Sequence, residues 1–276
     1  MIQKNEELSK HTTFKIGGKT EIFIPESRDE LLEIIDKFQS EGIKYKILGG
    51  GSNVLISDKE LDFKVIKTTK ACKDIKIEGN TVEVGASFYL PKFVRKIVEN
   101  GLGGIEYLSS VPGTVGGAIY MNAGRGKKHN KQISDYLVDV EVYDGEKVKT
   151  IGENEIEFGY RYSSFQNKSD WIILSAKFNF NSQSIEYGKE KIKERMETVS
   201  GNVRSMPNAG SVFKSGRKLP LKGLKIGSAK FVSSNRICNT GNASFSDVYR
   251  LIKIAILLHK IVPFLESPEL EIEMWK

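Results

Sequence analysis

Apolar and polar positions alternate along this chain in patterns that change character several times. Glu21 to Pro25 is a short strand stopped by proline. From Ser27 to Glu41 the apolar positions Leu31, Leu32, Ile34, Ile35 and Phe38 recur at helical spacing. Ser27 with Glu30 three residues later resembles a capping box, so this segment is expected to be a helix. Strands follow at Lys44 to Leu48, Val54 to Ile56 and Phe63 to Lys67. Ile75 to Ile77 and Thr81 to Val84, joined by Gly79 and Asn80, predict a half-buried hairpin. Tyr89 to Asn100 puts Leu90, Phe93, Val94, Ile97 and Val98 on one helical face, and Gly101 stops it.

Between Gly101 and Gly124 this periodicity gives way to GLGGIEYLSSVPGTVGGAIYMNAG, in which seven of 24 residues are glycine. Glycine lets backbone approach a ligand closely, so a dense run between apolar segments points to a backbone-lined binding surface. A second such surface lies at Gly49, Gly50, Gly51, Ser52 and Asn53. Neither is a Walker A loop, and no GxGxxG opens a helix after the first strand. What remains is a pair of loops whose amides, with Ser52, Asn53, Thr114 and Asn122, can cradle a pyrophosphate.

Periodic segments then resume. Leu137 to Tyr143 and Lys147 to Ile151 form a hairpin, Trp171 to Phe180 a strand, and Ser184 to Val199 a charged helix. Lys230 to Val232 is strand-like, Ser246 to Ile261 helical, and Leu270 to Met274 an alternating terminal strand.

Composition narrows the class. At 276 residues, 39% hydrophobic and 28% charged, the chain buries a sizeable core. No apolar run reaches the roughly 18 residues of a membrane helix, and the opening residues lack the apolar region of a secretory signal, so a cytoplasmic protein is expected. Cys72, Cys238 and three histidines match no metal-ligand spacing, so no metal is expected. The net charge of +7 favours anionic partners. Aromatics are not interleaved with Lys and Arg as in RNA-binding proteins, so those anions are small molecules and no nucleic acid is expected. The basic run Arg125 to Lys131 is a solvated loop or a phosphate-facing one.

The segments TTFKIGG (12–18), LGGGSNVLISD (48–58), the glycine-rich stretch (101–124), FGYRYSSF (158–165), NAGSVFK (208–214), LKGLKIGSAK (221–230), NTGNAS (239–244) and SPELEIE (267–273) occur in the order found in one family. With them the sequence resembles the UDP-N-acetylenolpyruvoylglucosamine reductases, the MurB flavoenzymes, over almost its whole length. The 50 residues from Arg161 to Ser211 fit the shorter type, which lacks an extra substrate-covering loop, and an open substrate cleft is expected.

The resemblance implies an α+β fold with two FAD-binding subdomains of the vanillyl-alcohol-oxidase/PCMH type, at 1–70 and 71–184. A C-terminal α+β substrate-binding subdomain, at 185–276, completes it. It implies bound FAD and NADPH as co-substrate in an enzyme reducing a UDP-sugar enolpyruvyl ether, acting as a monomer without a membrane partner. Gly49, Gly50, Gly51, Ser52, Asn53, Pro112, Gly113, Thr114, Gly116, Gly117, Asn122 and Gly124 are then cofactor-binding. Arg161 matches the family's arginine, Ser211 its proton donor and Glu269 its C-terminal glutamate. Tyr160, Lys214 and Asn242 are candidate substrate contacts, with the basic residues of 217–225 near the diphosphate. Taken alone, Arg161 reads as a surface ion pair, Ser211 as a turn residue and Glu269 as an exposed strand carboxylate. Two alternatives stand beside this: another FAD oxidoreductase of the same fold, and a nucleotide-binding relative without activity.

Overall fold

The computed structural model describes residues 2–168, 170–199, 206–214, 219–262 and 267–276. They form an α+β protein whose contacts divide into two compact units. The first comprises 1–3, 23–50 and 65–200, and the second 4–22, 51–64 and 201–276. A sheet in the order Ile2–Glu7, Lys19–Ile24, Lys64–Lys67, Tyr45–Leu48 accounts for most of the N-terminal strands.

The first unit is organised on a five-stranded antiparallel sheet in the order Val148–Gly152, Leu137–Tyr143, Ile172–Asn179, Thr81–Gly85, Ile75–Glu78. Both hairpins expected from alternation are present. In Ile172–Asn179 a register shift between Ile173 and Ser175 turns Ile172 and Leu174 to one face and Ala176 and Phe178 to the other, so each face of the sheet carries a core. On one face the helix Leu90–Glu99 buries Leu90, Phe93, Val94, Ile97 and Val98. Phe93 meets Phe178 and Phe180 at ring-centroid distances of 5.6 and 6.0 Å. Each such ring contributes about 1.5–3 kcal/mol by burial. Ile192 of the helix Ile185–Thr198 packs against the same core.

On the other face the helix Arg28–Ser40 inserts Leu31, Ile34, Ile35 and Phe38 against Tyr143, Ile172 and Leu174. Ser27 Oγ accepts the Glu30 N–H at 3.2 Å, as expected of an N-cap. The capping box does not close, because the Glu30 carboxylate accepts from Glu26 N–H, one residue earlier than the reciprocal bond requires.

The second unit has its own core, built on Phe14, Leu55, Phe213, Phe231, Ile237, Val248, Leu251 and Ile252. Lys225–Ile226, Ala229–Ser233 and Arg236–Asn239 form an antiparallel sheet. Phe245–Ile261 is the helix expected from its apolar spacing, with a complete capping box between Ser244 and Asp247. The terminal strand differs from expectation. It spans Glu273–Trp275 and pairs in parallel with Val54–Ile56, whereas Leu270 makes only an isolated bridge to Phe213. The segment changes partners midway, so alternation alone misplaces the strand by several residues.

Candidate active site

In the first unit the two glycine loops meet. A Cβ added to Gly50 would lie 2.6 Å from the Cα of Gly113, and one added to Gly49 would lie 3.0 Å from Thr114 Oγ1. The contact at Gly50 is backbone to backbone, and no rotamer change can relieve it. Gly113 has φ of +122°, a conformation open to glycine. The amides of Gly49, Gly50, Gly113 and Thr114 donate to no partner among the described residues.

The amides just beyond are used within the protein. Thr114 caps the short helix Val115–Tyr120, its side chain accepting the Gly117 N–H. Val115 N–H bonds Phe88 O and Gly116 N–H bonds Ala86 O, both at 2.9 Å. A Cβ on Gly116 would lie 2.9 Å from the Ala86 side chain, so Gly116 permits close packing of the helix. Pro112 and Gly117 are exposed at the two ends of this turn.

The same glycine-rich stretch contains buried polar atoms without a hydrogen-bond partner among the described residues: Tyr107 OH, Ser109 Oγ and Asn122 Oδ1. Burial, with lesser contributions from Asp135, Tyr136 and Glu106, raises the Tyr107 phenol, which stays protonated and able to donate. Asn122 is fully buried at φ of +42°, and its Nδ2 donates to Gly159 O at 3.0 Å. Unpartnered amides flanking a close backbone approach, with orphaned buried acceptors and donors alongside, suit a large polar cofactor carrying phosphates.

Arg161 lies against the end of this stretch. Its Nη2 donates to Gly124 O at 2.7 Å and Nη1 to Asn122 O at 3.4 Å, while the guanidinium stands 4.9 Å from the Tyr160 ring centroid. Arg161 itself has φ of +58°, strained for a residue with a side chain. Sequence spacing gives no sign of this link between GYRYSS and MNAG.

The second unit gathers the remaining motifs. Thr13 N–H bonds Gly51 O at 2.9 Å, and Thr13 exchanges bonds with Asn208 through its hydroxyl and carbonyl. A Cβ on Gly51 would lie 2.3 Å from His11 O. Asn53 Nδ2 donates to Glu271 O, and Asn53 O accepts from Glu273 N–H. Ser52, between them, is half-buried. Asn239 bonds Pro207 O through its amide and Phe14 O through its side chain. Asn239 Oδ1 also accepts from Gly241 and Ala243, shaping the loop that exposes Asn242. TTF, GSN, NAGSVFK, NTGNAS and SPELEIE therefore converge.

Within that convergence Ser211 and Glu269 flank one short antiparallel ladder. Lys214 N–H bonds Glu269 O at 2.8 Å, and Glu271 N–H bonds Val212 O at 2.9 Å. Lys214 Nζ pairs with Glu269 Oε2 at 3.3 Å. The Glu269 side chain is 76% exposed, and the half-buried Ser211 hydroxyl makes no hydrogen bond among the described residues. Lys222 and Lys225 are described, while Arg217 and Lys218 lie outside the described residues.

The chain matches the FAD binding domain family over residues 20–149, which with the α+β architecture defines an FAD-binding protein. It is 35% identical to UDP-N-acetylenolpyruvoylglucosamine reductase of Fervidobacterium nodosum, over 99% of this chain and 91% of that protein. To the enzyme of the same name from Pseudothermotoga lettingae it is 37% identical, over 99% and 98%. The crystal structure of UDP-N-acetylenolpyruvylglucosamine reductase (MurB) from Thermus caldophilus superposes with a TM-score of 0.81, at 27% identity and full coverage of both chains. The chain belongs to the UDP-N-acetylenolpyruvoylglucosamine reductase family. Among the described residues no helix is long and apolar enough to cross a membrane.

Proposed function

We propose that this chain is an NADPH- and FAD-dependent reductase that converts UDP-N-acetylglucosamine enolpyruvate to UDP-N-acetylmuramate for peptidoglycan. The observation that carries this in the molecule is the approach of Gly50 to Gly113, which creates a backbone-lined cradle inside the FAD-binding domain. In the proposal, Gly49, Gly50, Gly113 and Thr114 donate to the cofactor, Gly51, Ser52 and Asn53 continue the first loop, and Asn122 and Gly124 border it. Gly116 serves by its small size and Gly117 by its place in the first helical turn, since their amides are committed to Ala86 O and Thr114 Oγ1. FAD, when bound, supplies hydride transfer between NADPH and C3 of the enolpyruvyl group.

The side chains have separate work. Hydride arriving at C3 leaves negative charge towards C2 and the carboxylate, and a preoriented cation stabilises it. Arg161, fixed by Gly124 O and Asn122 O, is that cation, and a guanidinium matches a carboxylate in shape and charge. Ser211 donates the proton to C2, its hydroxyl being uncommitted to any acceptor among the described residues. Glu269, held beside Lys214, acts with Arg161 on the enolate, and Tyr160, Lys214 and Asn242 contact substrate. The flavin subdomains at 1–70 and 71–184 and the substrate subdomain at 185–276 divide these tasks. The enzyme works in the cytoplasm as a monomer, with no nucleic-acid, membrane or metal partner.

The purified protein is expected to be yellow and to release FAD on denaturation. NADPH oxidation should require UDP-N-acetylglucosamine enolpyruvate. Colourless protein that cannot be reconstituted with FAD removes the proposal, and flavoprotein without substrate-dependent NADPH oxidation leaves only another FAD oxidoreductase.

A further inference from the structure

Ser211 sits in a segment whose shape is imposed by a neighbouring turn. Asn235 lies between the strands Ala229–Ser233 and Arg236–Asn239, and its side-chain amide treats Phe213 as a paired strand would. Asn235 Oδ1 accepts the Phe213 N–H at 2.8 Å, and Nδ2 donates to Phe213 O at 2.7 Å. The Asn235 carbonyl accepts the Val212 N–H at 2.9 Å. Three hydrogen bonds thus fall on the two residues that follow Ser211. Immediately before it, Gly210, at φ of +79°, donates its amide to Asn208 Oδ1 at 2.9 Å.

The serine hydroxyl makes no hydrogen bond among the described residues that would aim it. Its direction is set by the backbone on either side, and on the C-terminal side that backbone is held by Asn235 together with the Glu269–Glu271 ladder. A carboxamide is suited to the task because it accepts and donates at once. Alanine offers neither group, and aspartate only accepts.

We propose that Asn235 is a positioning residue for Ser211, fixing through Val212 and Phe213 the direction from which the serine proton is delivered. The proposal rests on Ser211 being the proton donor. Misplacing a reacting group by about 1 Å costs up to ~10²-fold in rate, so loss of the amide should be visible in one half-reaction.

The experiment is an anaerobic stopped-flow comparison of four holoenzymes: wild type, Ser211→Ala, Asn235→Ala and the double variant. Flavin reduction by NADPH should be unchanged in all four. Reoxidation by UDP-N-acetylglucosamine enolpyruvate should slow at least ~10²-fold in Ser211→Ala and about tenfold in Asn235→Ala. Asn235→Ala should add less than about twofold when Ser211 is already alanine, because the two act through one step. Amide exchange should accelerate at Phe213 and not at Lys214, whose N–H is bonded to Glu269 O.

If the two rate losses multiply, or Asn235→Ala reoxidises at the wild-type rate, Asn235 does not position Ser211. Ser211→Ala at the wild-type rate instead overturns the proton-donor role itself, a separate failure. Should Asn235→Ala not fold, Asn235→Asp supplies the same comparison: it keeps an acceptor for the Phe213 N–H but sets a carboxylate oxygen against Phe213 O, so reoxidation should again slow about tenfold.

Discussion

The glycine loops of the first unit and the Ser211–Glu269 ladder of the second are both short irregular segments held by hydrogen bonds, yet the proposed function gives them opposite purposes. At Gly50 and Gly113 the proposed functional feature is missing side chains: two backbones approach so closely that a single Cβ at Gly50 would collide with main chain. At Ser211 and Glu269 the proposed functional feature is two side chains, one hydroxyl with no hydrogen bond among the described residues and one largely exposed carboxylate. A backbone site suits a cofactor that stays in place, because it costs no side-chain entropy and cannot rearrange. A side-chain site suits chemistry, because protons and developing charge need groups with particular acidity and charge.

Arg161 sharpens this contrast, because it belongs to the backbone-built region yet contributes a side chain. Arg161→Lys keeps the charge and loses the fork that bonds Gly124 O and Asn122 O. Reoxidation of reduced flavin by substrate is expected to slow ~10²-fold, with a smaller change in flavin reduction by NADPH. Equal slowing of both half-reactions would assign Arg161 to the flavin cradle instead.

A smaller effect is expected at the exposed end of the ladder. Glu269→Gln removes the ion pair with Lys214, and exposed pairs contribute at most about 1 kcal/mol. Thermal unfolding should therefore barely move, while reoxidation slows by about tenfold. A variant that loses stability and leaves reoxidation unaltered would make Glu269 a structural residue.

How far these regions were legible in the sequence follows from the same contrast. Periodicity revealed the helix at Arg28–Ser40, both hairpins and the helix after Ser244, since each buries one regular apolar face. It missed the strand Ile2–Glu7, whose IQKNEE is almost wholly polar, and the short strand Arg236–Asn239, which has no alternation. Glycine density announced the two loops as a pair able to cradle a pyrophosphate, and the direct approach of Gly50 to Gly113 came only from the structure. It could not show that Gly116 and Gly117 have committed amides, because that depends on Ala86 and Thr114 meeting them in space. Ser211 and Glu269 became candidates through family resemblance alone, and Asn235 did not, since an asparagine in a turn carries no signal until Phe213 is beside it.

Two further comparisons lie away from both regions and should leave function intact. Burial pushes the Cys72 thiol up to about 11, so at pH 8 the native protein should react with a thiol reagent far more slowly than the unfolded chain. Rapid labelling of native Cys72 would contradict the packing around it. At the hairpin turn, the Lys149 side chain and the N–H groups of Lys147 and Glu146 hold the Asp144 carboxyl well below the usual carboxylate range. Its folded state is thus the more acidic, so its stabilisation is present above about pH 4 and fades as pH falls. Asp144→Asn should narrow its deficit against wild type on acidification, and a deficit independent of pH would remove the charge from the explanation.

The proposed division between a backbone that holds the flavin and side chains that serve the substrate is tested most directly by FAD titration of three apoproteins. Wild type, Gly50→Val and Ser211→Ala would be compared by flavin fluorescence. Gly50→Val is expected to raise the FAD Kd at least ~100-fold, about 2.7 kcal/mol, while Ser211→Ala stays within about twofold of wild type. Gly50→Val binding FAD as tightly as wild type, or Ser211→Ala weakened to the same extent, would contradict it.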